Sequence, residues 1–195
     1  MMALRFSLAG ALLGAAFLAR GVLEADPLTH ILVQLPMLAV AGALLPVPAG
    51  WERARCNAGG WAALLTAIFT IAYWMLPRTI DATLVVPWVE AAKFIALPLG
   101  VGFALRLGWA RAHPLLRGFL KAQALAMLGV LAFLYTHAPV RLCTAYLMEE
   151  QARLGLGFLI VAGGLAVLWV APLFAVCAPA PRADRAGGRV PAFDP

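Results

Sequence analysis

The sequence predicts an all-α fold: a polytopic transmembrane bundle of about six helices. Three observations carry that expectation. Hydrophobic residues make up 64% of the 195-residue chain, mean hydropathy is +0.90, and only 12% of residues are charged. A soluble domain of this length cannot hide so much apolar surface in one core, whereas lipid can act as its solvent. Six apolar stretches approach the roughly 20 residues that a membrane-crossing helix needs, and none shows the period-2 alternation of a barrel strand. The connections between them alternate in basic charge.

The first stretch, near Leu4–Leu18, is short and bounded by Arg5 and Arg20. Residues 1–20 read as an uncleaved first helix or signal anchor. The alternative is a cleaved signal peptide, for which Leu23-Glu24-Ala25 is a poor processing site. The second, near Leu28–Leu45, carries His30 and Gln34 on one helical face, with Pro36 following. The third lies near Ala58–Leu76. The fourth, near Leu84–Leu105, holds Glu90 and Lys93 three residues apart. The fifth, near Leu115–Thr136, ends in Tyr135, Thr136 and His137. The sixth, near Leu154–Cys177, follows Glu149, Glu150 and Gln151. Residues 21–177 thus form one membrane bundle. Residues 178–195, rich in Pro, Ala, Gly and Arg, read as a disordered cytoplasmic tail.

Placing the N-terminus in the cytoplasm puts ten of the fifteen Lys and Arg residues inside and four outside, with Lys93 within a span. Five of the nine acids (Glu24, Asp26, Asp81, Glu149, Glu150) then fall outside. The positive-inside rule therefore predicts a multi-pass protein of the bacterial inner membrane with both termini cytoplasmic. The net charge of +6 is topogenic and implies no nucleic-acid partner. No nucleotide loop, zinc-protease helix or nucleophile elbow is present, and no internal repeat suggests an inverted-repeat transporter. No catalytic constellation is expected, and the partner implied directly is the lipid bilayer.

This topology gathers the polar residues of the spans at the outer face. Glu90 and Lys93 share a helix face inside an apolar span, where a lone charge costs several kcal/mol by order of magnitude. They read as a mutual intramembrane pair, or as a polar site between helices. His30, His137, Cys143 and Met148 are the imidazole and soft donors on that side, so a copper ion, if bound, would draw on them. The bland readings are an interfacial His30, a buried small Cys143 and a helix start at Glu150-Gln151 favoured by the dipole. One outer cysteine implies no disulfide. The scattered methionines and the interface-level tryptophans read as packing and anchoring, and Gly100–Gly102, Gly155–Gly157 and Gly163–Gly164 as close helix contacts.

Two segments resemble a known family. The run from Ile80 to Glu90, with Asp81, Pro87 and Trp88, is similar to the "YDAAL…PWLH" segment of CtaG-type cytochrome c oxidase assembly proteins. The run Met148-Glu149-Glu150-Gln151-Ala152-Arg153-Leu154-Gly155 is similar to that family's "DQQLAGL", and Val33-Gln34 stands where the family has "HMxQH". Gln34, Asp81, Trp88, Glu150 and Gln151 match. The family's histidines do not: Ile31, Leu35, Glu90 and Phe94 stand in their places. The resemblance implies a non-enzymatic accessory protein acting in copper handling or respiratory-complex maturation, with an oxidase or another membrane protein as partner. It also implies that any copper site has been lost or rebuilt around His30, His137 and Cys143. The residues leave two other functions open: a small transporter or permease subunit using Glu90 and Lys93 as its polar waypoint, or a structural bundle that binds a partner's helices.

Overall fold

The computed structural model describes residues 2–48, 50–51, 54–138 and 146–176. Among them there are eight main helical segments, one further 3-10 helix at Arg55–Gly60, and no strand. Proline sets where several begin. A proline in the first helical turn loses no hydrogen bond and brings a preset φ. Pro27, Pro77, Pro87 and Pro114 all open helices in this way. We number the segments α1 (Met2–Leu18), α2 (Arg20–Leu23), α3 (Pro27–Leu44), α4 (Trp61–Trp74), α5 (Pro77–Val85), α6 (Pro87–Trp109), α7 (Pro114–His137) and α8 (Met148–Val176). Asp26 caps α3, its carboxylate accepting from the Leu28 N–H at 2.8 Å.

Among the described residues, five stretches are long and apolar enough to cross a membrane: Pro27–Leu44, Arg55–Trp74, Pro87–Trp109, Pro114–His137 and Met148–Pro172. They correspond to the second to sixth predicted spans. The first predicted span is the 17-residue α1, which packs on α3 with Ala9 and Ala16 buried and Phe17 edge-on to Phe94 at 5.6 Å. The third span departs from a plain helix. A 3-10 turn over Arg55–Gly60 precedes α4, and Gly59 and Gly60 adopt φ of 64° and 78°. A side chain at Gly60 would also collide with the carbonyl of Gly108, so glycine both turns the chain and admits α6.

α3 and α6 form the centre. Each contains a π-helical stretch, His30–Gln34 and Leu97–Phe103, in which an N–H reaches back five residues: Leu35 to His30 and Ala104 to Leu99. Proline stands just beyond the first and inside the second, where its missing N–H frees a carbonyl. The two helices approach without side chains between them. A Cβ at Gly42 would run into Pro98, and one at Gly102 into the backbone of Ala39 and Ala43. Leu38, Leu97, Ile31, Trp74, Ile80, Leu154 and Phe158 build the core around this contact. Of the predicted glycine contacts, Gly155 (against Thr136) and Gly157 (against Leu32) serve α8 in the same way, but Gly163 and Gly164 face open space.

α7 and α8 pack chiefly on each other, and α8 reaches the rest through its first turns. Over the most apolar 18 residues of each span, only 11% are buried in α7 and 17% in α8, against 28–44% in the other three. Phe119, Val130, Phe133, Ile160 and Leu168 are exposed there, as are Val33, Phe69 and Ile95 on the remaining helices. Such a surface fits lipid contact and would aggregate in water.

Candidate functional site

A polar cluster sits where the first turns of α3 and α6, the end of α2 and the segment leading into α8 meet. Lys93 is its centre. It is wholly buried, and its ammonium donates to Glu24 Oε1 at 2.7 Å and Gln34 Oε1 at 3.1 Å and lies 3.3 Å from His30 Nε2. Gln34 in turn donates to Glu24 Oε1 at 2.9 Å and reaches the Ala16 carbonyl at 3.4 Å. The Tyr146 hydroxyl donates to the Glu24 carbonyl at 3.1 Å and lies 3.0 Å from His30 Nδ1. A phenol has one proton, so the hydrogen-bond network assigns the imidazole proton to Nδ1, which donates to Tyr146. Nε2 is then bare and accepts from Lys93. All three ammonium protons are thereby used.

The carboxylate that meets Lys93 is Glu24, and Glu90 pairs with Arg20 at 3.2 Å. This corrects the partner that sequence spacing gave. Three-residue spacing puts Glu90 on the same side of α6 as Lys93, but Glu90 lies one turn nearer the rim and remains 22% exposed beside Arg20. Glu24 comes from the turn between α2 and α3, where Thr29 Oγ1 donates to the carbonyls of Leu23 and Asp26 and holds the corner closed. Burial works to raise the Glu24 carboxyl. The hydrogen bonds from Lys93 and Gln34 and the Lys93 charge outweigh it and hold the group below its ordinary range.

His30, Gln34 and Lys93 are therefore joined directly. The other predicted residues lie apart from them. His137 is exposed at the end of α7, stacked on Phe133 at 4.5 Å with Nδ1 2.7 Å from Thr136 Oγ1. Met148 is exposed at the start of α8. Cys143 lies outside the described residues, as do residues 178–195. Among the described residues, no three His, Cys, Asp or Glu side chains form a group able to hold a metal ion. Glu150 caps α8, its Oε2 accepting from the Leu147 N–H at 3.0 Å. Gln151 is buried, Asp81 is half-buried on α5, and Trp88 is exposed.

Sequence reasoning missed Glu24, Arg20 and Tyr146 as cluster members. One signal could have found Glu24. A buried lysine demands a carboxylate, and the acids that the charge pattern predicts on that side form a short set. Comparisons with protein-family models, curated proteins and solved structures give no match.

Proposed function

We propose that the chain is a non-enzymatic integral membrane accessory protein. On this reading it holds a partner membrane protein through the unpacked faces of α7 and α8, as assembly factors do during maturation of respiratory oxidases. The observation that carries it is a contrast. The Lys93 cluster is closed, each ammonium proton having an acceptor within the chain, whereas α7 and α8 pack chiefly on each other and leave most of their residues unburied. A closed cluster fixes helices. The open faces are what remains for partners. The resemblance of the Asp81–Trp88 and Glu150–Gln151 segments to CtaG-type proteins supports an oxidase as that partner, in a bacterial inner membrane with both termini cytoplasmic. Both nitrogens of His30 face neighbours in the chain, so this proposal routes no copper through it.

The test is a strain lacking the chain. Its membranes should lose the haem a band and the copper of an assembled oxidase, and the wild-type chain should restore both. The double variant Glu24→Gln with Lys93→Met, at equal protein level, should restore them too. Oxidase at the wild-type level without the chain would overturn the proposal.

A second reading has one observation in its favour. Ionisable groups within membrane spans commonly mark substrate or proton pathways, and His30 and Lys93, joined to Tyr146 and Glu24 at the ends of the spans, form such a chain. A small transporter of this kind should lose flux in proteoliposomes with Lys93→Met, and the double variant should then fail to complement.

A further inference from the structure

At the end of the bundle opposite the Lys93 cluster, a cleft of about 580 Å³ separates the α7–α8 hairpin from α3 and α6. Its length is apolar, formed by Val40 and Ala43 of α3 and Val101 and Leu105 of α6. Arg106 and Trp109, in the last turns of α6, close one end together with Lys121 of α7 and Trp169 of α8. Chain direction places all four at one membrane level. Lys121 lies over the Trp169 ring at 5.4 Å, and the neighbouring Arg117 over Trp109 at 6.0 Å. Arg106 donates to the carbonyls of Ala43 and Leu45 at 3.1 and 2.6 Å, which fixes its guanidinium at the mouth. Among the described residues, none of Arg106, Arg117 and Lys121 forms an ion pair with an acid.

We infer that this cleft is a binding site for one anionic phospholipid. Three cations of one sign at interface depth, uncompensated by carboxylates, fit a headgroup phosphate. The apolar walls behind them fit an acyl chain, and indole rings at that level suit the glycerol region between the two. A peptide helix would bring polar backbone ends to this depth, whereas a phospholipid supplies negative charge and hydrocarbon in the order in which the cleft presents their complements. The hairpin meets the body mainly at the other membrane face, so an occupant here would brace it at the second end.

The probe is tail-brominated lipid, which quenches tryptophan on contact. The full-length protein is reconstituted in phosphatidylcholine vesicles carrying a minor fraction of brominated phosphatidylglycerol or, in parallel, of brominated phosphatidylcholine. The anionic lipid should quench more strongly at equal mole fraction, and the excess should vanish in the Trp109→Phe, Trp169→Phe variant. Lys121→Gln should lower the preference about fivefold, the share of one basic group near an anionic surface. Arg5→Gln, an equal charge loss away from the cleft, should leave it unchanged. Equal quenching by the two lipids would overturn the inference. So would equal losses in Lys121→Gln and Arg5→Gln, which would mean general attraction to a basic protein, and so would displacement of the lipid preference by inorganic phosphate.

Discussion

At the scale of single residues, the balance at Lys93 decides what a substitution costs. Glu24→Gln leaves a buried ammonium without its carboxylate, a change of about 3–5 kcal/mol. Adding Lys93→Met removes the stranded charge and should recover much of that loss. Glu90→Gln breaks only the rim pair with Arg20 and should cost less than about 1 kcal/mol. Thermal unfolding of the three variants in detergent separates the possibilities. Equal damage from Glu24→Gln and Glu90→Gln would return the pairing to α6 alone. Acid should act through the same carboxyl. Because Glu24 is held below its ordinary value of 4.5, its contribution is fully present above that pH and is lost as pH falls through the lowered folded value. The unfolding temperature should fall in that acid window, and the part due to Glu24 should be missing from a Glu24→Gln profile. His30, Gln34 and Lys93 stood out in the sequence because each is polar within an apolar run. Glu24 did not, since it sits in a connection 69 residues from Lys93, and spacing arguments reach only along one helix.

At the scale of helices, the contact of α3 with α6 depends on glycine. Gly102→Ala drives a methyl into the backbone of Ala39 and Ala43, which cannot give as a flexible side chain would. It should cost at least the roughly 1–3 kcal/mol of overpacking, read as a lower unfolding temperature. Gly163→Ala, with nothing within 4 Å of the added carbon, should be neutral or slightly stabilising. A similar loss in both would mean that α3 and α6 are not so closely seated. Composition made the spans legible to within a few residues, because lipid-length apolar runs have few other uses. It did not show α5, whose Pro77–Val85 stretch carries Arg78 and Asp81 and looks like a connection. Nor did it show the two π stretches or the turn at Gly59 and Gly60, since these arise from how α3, α4 and α6 fit one another.

At the scale of the whole molecule, the two ends of the bundle differ in chemistry. One holds an internally satisfied cluster with acids, and the other collects Arg106, Arg117 and Lys121, none of which forms an ion pair with an acid among the described residues. The positive-inside rule turns that difference into an orientation. In single-cysteine variants retaining either Cys56 or Cys143, an impermeant maleimide added to intact cells should label Cys143 and spare Cys56, which is exposed just before α4. The reverse pattern would invert the topology.

The Lys93 ammonium is in effect a tethered ion. Carboxylate oxygen, amide oxygen and imidazole nitrogen converge on it at 2.7, 3.1 and 3.3 Å, a mixed donor set of the kind that also receives a free cation. The protein supplies its own occupant on a four-carbon leash. Cutting the leash should change that. In Lys93→Ala the same three donors face an empty space of cation size, and zinc should raise the unfolding temperature of that variant while leaving the wild type unmoved. No response in either would mean that the donors close over the gap once the lysine is gone.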